Sequence, residues 1–178
     1  MRVLIISDTH GKSSCIQQIH DIVGNVDMLI HLGDVEGDEK LIHDLFDCEI
    51  HMVRGNCDYN AELPIYDEFN IGDKKAFITH GHRYSVNSGI AYLEELIDTE
   101  GYDFVMYGHT HRRDLTSYKG SYIVNPGSLA LPRDNRIGTY MLLDFDQHGT
   151  PFFAQNELPQ VDTPEEKKRK KFFEDLWG

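Results

Sequence analysis

Arg2-Val3-Leu4-Ile5-Ile6-Ser7-Asp8-Thr9-His10-Gly11 is the stretch from which the rest of the chain can be read. Val3 to Ile6 is a continuous aliphatic and β-branched run rather than an alternating one, which predicts a buried strand of a parallel sheet. The strand gives way at Ser7 to Asp8, Thr9 and His10. Beyond Gly11, residues Cys15, Ile16, Ile19, Ile22 and Val23 recur at helical spacing as far as Gly24. The order is strand, polar loop, helix.

That unit repeats. Val26 to His31 reads as a second strand ending in Gly33-Asp34, and Leu41, Ile42, Leu45 and Phe46 form the stripe of a second helix. Cys48 to Val53 is a third strand, ending in Gly55-Asn56-Cys57-Asp58. The pattern then changes to strands over Tyr66–Ile71 and Lys75–Thr79, joined by Gly72-Asp73, and the second runs into His80-Gly81-His82. Ile90, Leu93, Leu96 and Ile97 mark another helix, and Phe104 to Tyr107 is a strand leading to Gly108-His109-Thr110-His111. Short β segments follow at Thr116–Tyr118, Ser121–Val124, Gly138–Phe145 and Pro151–Ala154. Helices alternate with strands early and antiparallel strands dominate late, so the expected class is a mixed α/β protein of sheets covered by helices.

At 178 residues the chain fits one domain, expected over residues 1–156. Residues 157–178 read as a linker and a C-terminal helix that starts at Thr163-Pro164-Glu165-Glu166. Its run Lys167 to Lys171 is a solvated face, and Phe172, Phe173, Leu176 and Trp177 dock on the body or on a second subunit, giving a route to a homo-oligomer. No apolar run approaches a membrane span or a signal-peptide core. The net charge of −13 repels polyanions and argues against a dedicated nucleic-acid module. Cys15, Cys48 and Cys57 are odd in number and form no CxxC, as expected of a reducing cytoplasm rather than a disulfide scaffold.

Ten histidines are unusual for this length, and half of them fall in tight clusters beside Gly, Asp or Thr. Each polar cluster follows the C-terminal end of a strand, the edge at which ligands bind in open α/β sheets. Intervals of 26, 22, 24 and 29 residues separate Asp8, Asp34, Asn56, His80 and His109, close to one strand-helix unit. The clusters are therefore expected to converge. Asp8, His10, Asp34, Asn56, His80, His109 and His111 offer more ligands than one four-coordinate ion uses, which implies two divalent metals. A His/Asp/Asn set without thiolate suits transition ions, manganese first, with nickel, iron, cobalt or zinc as alternatives. Neither GxxxxGK[ST] nor GxGxxG occurs, so a P-loop and a dinucleotide site are unsupported.

In this order, Asp8-x-His10, Gly33-Asp34, Gly55-Asn56-x-Asp58, His80-Gly81-His82 and Gly108-His109-x-His111 resemble the calcineurin-like metallophosphoesterases. Asn125-Pro126-Gly127-Ser128 followed by Leu131-Pro132-Arg133 is similar to the small bacterial and archaeal phosphodiesterase branch. The resemblance runs from Arg2 to about Phe145. It implies a four-layer α/β/β/α sandwich and a hydrolase acting on a small phosphoester, most directly a phosphodiesterase. It further implies that Asp8, His10 and His111 hold one metal and Asn56, His80 and His109 the other, with Asp34 bridging and a metal-bridged hydroxide as nucleophile.

One position departs from the family. Cys57 stands where most of the superfamily carries a histidine able to protonate the leaving group or bind phosphate, so phosphoprotein substrates are not expected. The candidate catalytic residues are Asn56, His82 and Asp58, and the candidate substrate contacts are Cys57 and Arg133. His82 either touches substrate or hydrogen-bonds behind a ligand. Asn125 to Ser128 reads as a turn, and His20, His43, His51 and His148 as surface or packing residues. His31 is close to Asp34 in sequence, but a supporting role is not the favoured reading. The rival functions are a phosphomonoesterase and a protein-interaction scaffold of the same fold, as in a eukaryotic sorting-complex subunit.

Overall fold

The computed structural model describes residues 1–134 and 136–159. The first half runs β1 (Arg2–Ile6), α1 (Ser13–Val23), β2 (Met28–His31), α2 (Glu39–Leu45) and β3 (Glu49–Met52). β4 (Tyr66–Ile71), β5 (Lys74–Thr79), α3 (Ala91–Glu100), β6 (Phe104–Met106), β7 (Arg113–Tyr118), β8 (Ser121–Pro126), β9 (Thr139–Phe145) and β10 (Pro151–Glu157) follow. The elements read from the sequence as far as Ala154 are all present, with edges moved by one to three residues. Between β5 and α3 the chain also makes a 3₁₀ turn at His82–Tyr84, which hydrophobic periodicity cannot signal in three residues.

Two five-stranded sheets form, ordered β10-β9-β1-β2-β3 and β4-β5-β6-β8-β7. β1, β2 and β3 pair in parallel, with Val3 opposite Met28 and Met28 opposite Glu49. In the second sheet β5, β6 and β8 are parallel, and β4 and β7 close its edges antiparallel. The continuous run in β1 is explained by what lies on each face. Val3 and Ile5 point into the core between the sheets with Met28, Ile78, Phe104, Met106 and Val124. Leu4 and Ile6 point the other way, against Ile16 and Ile19 of α1 and Ile42 of α2. On the far side, Leu93 and Ile97 of α3 cover Phe77, Val105 and Ile123. The layers are thus helix, sheet, sheet, helix, as the resemblance implied. Burial of a Leu, Ile, Val or Phe contributes about 1.5–3 kcal/mol, so both faces of β1 help to fix its register.

The packed body reaches at least residue 158, past the 156 expected as the end of the domain. β10 pairs through Glu157, opposite Thr139, and Leu158 is buried against α1's side of the first sheet. The expected C-terminal helix lies outside the described residues. Among the described residues no helix is long and apolar enough to cross a membrane.

Candidate metal centre

The loops after β1, β2, β3, β5 and β6 meet at one edge, as their spacing predicted. Backbone hydrogen bonds lace them together, with Asp8 N–H donating to Gly33 O at 3.0 Å, His10 N–H to Asp34 O at 2.9 Å and Gly108 N–H to His80 O at 3.1 Å. Asp8, His10, Asp34, His109 and His111 all have positive φ, between 48° and 68°. For non-glycine residues the left-handed region costs roughly 1–2 kcal/mol each, and such strain concentrates at functional sites.

The histidine nitrogens define the site. His80 Nδ1 donates to Leu32 O at 2.7 Å and His111 Nδ1 to Leu131 O at 2.6 Å, while His10 Nδ1 lies 2.7 Å from Glu36 Oε1. A neutral imidazole with its proton on Nδ1 presents a bare lone pair at Nε2. Those three Nε2 atoms point at other lone pairs. His10 Nε2 and His111 Nε2 are 3.3 Å apart, His111 Nε2 is 3.1 Å from Asp8 Oδ1, and His80 Nε2 is 3.1 Å from Asn56 Oδ1 and 3.4 Å from Asp34 Oδ2. Asp8 Oδ1 is buried without a hydrogen-bond partner. Facing acceptors in a buried space repel unless cations sit among them, so this donor set fits divalent metal. Asp8, His10 and His111 form one group able to hold an ion, and Asp8, Asp34 and His80 another. His109 Nε2 is taken by Asn87 Nδ2 at 2.9 Å, which leaves Nδ1 as its free ring nitrogen.

Electrostatics follow from this crowding. Burial would raise the Asp8 carboxyl, but His111 and His80 beside it outweigh that and hold it below its ordinary value. The same contest leaves Asp34 well below the usual carboxylate range, burial being overcome by His80 and by the Cys57 N–H, 2.8 Å from Oδ1. His80 and His111 are raised, since the charge of Asp34 and Asp8 exceeds the cost of burial. Burial and then the charge of His80 lower both His82 and His109. The His82 ring centroid is 5.4 Å from that of His80 and 6.0 Å from that of His109, so His82 borders the cluster.

Asp58 is a correction. Expected among the catalytic groups, it is 3% exposed and its two oxygens accept from Glu36 N–H at 2.7 Å and Gly55 N–H at 2.8 Å. It ties the β2 loop to the β3 loop. Asn56 sits in the cluster through Oδ1, and its Nδ2 is 3.2 Å from Cys57 Sγ. Cys57 borders a cavity of about 340 Å³ with Glu36, Asp58 and Tyr59. Burial, together with Asp34 and Glu36, pushes its thiol up to about 12. Arg133 is exposed and donates its backbone N–H to His111 O at 2.9 Å.

Other supporting residues were not legible. His31, for which a supporting role was not favoured, is fully buried beneath the loops, 3.0 Å from Thr9 Oγ1 and accepting from Gly33 N–H. Asn125, read only as part of a turn, ends β8 and donates to Gly108 O, while Ser128 Oγ donates to Asp8 O at 2.8 Å. Ser7 Oγ donates to Asp8 Oδ2 at 2.5 Å. Only the position of Glu36, two residues past Asp34, offered a signal for its pairing with His10.

Residues 1–148 match the family model of the calcineurin-like phosphoesterase superfamily domain. The chain belongs to that superfamily. Among its relatives, a phosphodiesterase of Methanocaldococcus jannaschii, MJ0936, is 34% identical over 149 residues, covering 71% of this chain and 83% of the relative. The crystal structure of a predicted phosphoesterase from Streptococcus pneumoniae TIGR4 superposes with a TM-score of 0.72 at 26% identity, covering 88% of this chain and 97% of that one. Vps29 of Entamoeba histolytica complexed with zinc has the same fold, with a TM-score of 0.68 at 23% identity over 89% of this chain and all of that one.

Proposed function

We propose that this metallophosphoesterase is a phosphodiesterase with a two-metal centre, working in a reducing cytoplasm. The observation that carries the reading is the convergence of bare Nε2 lone pairs on buried carboxylate and amide oxygens. Asp8, His10 and His111 would hold one ion, Asn56, His80 and His109 the other, and Asp34 would be shared. Manganese stands first among the transition ions this donor set suits. When bound, the metals supply water activation and neutralise phosphoryl charge.

The chain's own groups set the rest. Backbone carbonyls and Glu36 hold the Nδ1 protons of His80, His111 and His10, and so keep the Nε2 atoms available. The Cys57 N–H and His80 keep Asp34 ionised. His82, lowered by burial, is neutral at neutral pH and orients phosphoryl oxygens through a ring N–H rather than delivering a proton as imidazolium. With no histidine at position 57, departure of the alcohol depends on its own stability, which favours diesters with good leaving groups. Cys57 flanks the position of the ester, and Arg133 lies beyond it, its N–H bonded to His111 O.

Metal analysis of protein purified without chelator is expected to give two ions per chain. Bis(4-nitrophenyl) phosphate is expected to be hydrolysed with a higher kcat/KM than 4-nitrophenyl phosphate under the same metal. Full activity at one ion per chain would refute the two-metal centre, and a clear monoester preference would refute the diester assignment.

A further inference from the structure

Next to the His109–His111 loop lies a cavity of about 400 Å³ to which the metal cluster contributes no side chain. Its walls include Asn87, Thr110, Arg112 and Arg133, and its floor Tyr107. Two contacts join it to the centre. Asn87 Nδ2 is 2.9 Å from His109 Nε2, and the Arg133 N–H is 2.9 Å from His111 O. A molecule whose phosphoryl group lay among the ligands could therefore extend past His109 into this space, which falls within the volume range of small-molecule sites.

The charges of the cavity are unevenly satisfied. Arg113 pairs with Asp134 at 2.9 Å and approaches Glu157 at 3.7 Å. Asp114 accepts from Tyr107 Oη at 2.9 Å and from Thr116 Oγ1 at 2.8 Å. Arg112 and Arg133 are both exposed, and among the described residues neither guanidinium has a hydrogen-bond or ion-pair partner. In a chain with 30 acidic against 17 basic residues, acidic partners for an arginine are plentiful, yet these two face one cavity unpaired. A planar guanidinium presents a fork of donors that matches two phosphate oxygens, and two of them at one cavity match a dianion.

We propose that this cavity is a second-phosphate subsite, so that the preferred substrates are small phosphodiesters carrying a further phosphoryl group on the moiety that extends past His109. Arg112 and Arg133 bind that group, and Asn87 and Thr110 line its path. The proposal rests on the phosphodiesterase reading for its substrate but on the cavity alone for its binding preference.

The test uses non-hydrolysable probes. Alkane-1,ω-bisphosphonates of two to six carbons are titrated calorimetrically into manganese-loaded wild-type protein and into R112Q, R133Q and the double variant, with the corresponding alkylphosphonates as single-charge controls. At least one bisphosphonate is expected to bind wild-type protein 10-fold or more tightly than its control. Each single variant should reduce that preference and the double variant should abolish it, with thermal melts unchanged because neither guanidinium holds a partner. Equal affinity for both probe types at every length, or a preference that survives in the double variant, overturns the subsite. Turnover of bis(4-nitrophenyl) phosphate by wild-type protein is followed in parallel. Its absence defeats the phosphodiesterase reading, whereas the subsite stands or falls on the binding data.

Discussion

Cys57 bonds the centre through its backbone N–H, and its thiol stays protonated beside it. Its N–H reaches Asp34 Oδ1 at 2.8 Å, its sulfur also faces the carboxylates of Asp34 and Glu36, and a thiol pushed up to about 12 is un-ionised at neutral pH. Cys57→Ala keeps that N–H, so it is expected to retain most of the activity and to melt like wild type. Asp34→Ala removes the proposed shared ligand and should cost more than the roughly 10–100-fold associated with loss of an outer partner. A folded, metal-loaded Cys57→Ala protein without activity would return the thiol to the mechanism. His31 makes a different prediction. Burial, the leading influence, lowers its imidazole to about 4, against an ordinary value near 6.5. The unfolded chain therefore binds this proton at a higher pH than the folded one. The stability held by neutral His31 is present above about pH 6.5 and lost as pH falls toward 4, by up to roughly 3 kcal/mol. Urea denaturation of metal-free protein at about pH 7.5 and about pH 4.5 is expected to show a smaller loss for His31→Phe than for wild type. Equal losses would mean that His31 does not set the acid limb.

Among the elements, close approach matters more than propensity. A Cβ on Gly108, between β6 and the His109 loop, would fall 2.1 Å from Ser7 Oγ and 2.9 Å from Asp8 Oδ2. Gly108→Ala must push the second sheet's loop away from β1, and is expected to cost about 1–3 kcal/mol and to weaken metal binding. Urea denaturation and metal titration together check this, and wild-type values in both would show that the loops have slack. The same elements show what sequence can reveal. β1 was legible because both of its faces are buried, which removes polar alternation and leaves an unmistakable apolar run. The convergence of the polar loops was legible because each follows such a strand. Asn125 and Ser128 were not, since they bond the backbone of other loops, and a polar residue in a Pro-Gly turn reads the same whether or not another loop lies beneath it; nor was His31, whose contacts are the Thr9 hydroxyl and the Gly33 N–H. Asp58 misled for the same reason, as a carboxylate beside a ligand looks catalytic until its oxygens are found on two backbone amides.

At the scale of the molecule, the site is a seam between two sheets. Asp8, His10, Asp34 and Asn56 follow strands of the first sheet, and His80, His109 and His111 follow strands of the second. Elsewhere the sheets meet through apolar side chains, but at this edge they meet through buried carboxylates and imidazole lone pairs. On the proposed ligand assignment, cations at this end of the seam would join the sheets. Metal held by ligands from both sheets binds the folded chain and not the unfolded one, so it should stabilise the whole molecule. At a free metal concentration about 100 times its Kd, the linkage amounts to about 2.7 kcal/mol per ion. For a chain of this size, each kcal/mol moves the melting temperature by about 2–4 °C. Calorimetric scans at matched ionic strength are expected to show the metal-loaded protein melting at least about 5 °C above the chelator-treated protein, as one transition. Asp34→Ala should lose most of that difference while melting cooperatively on its own. If wild-type protein of verified metal content melts at the same temperature after chelation, the ions do not bridge the sheets, and the ligand assignment across the seam fails with them.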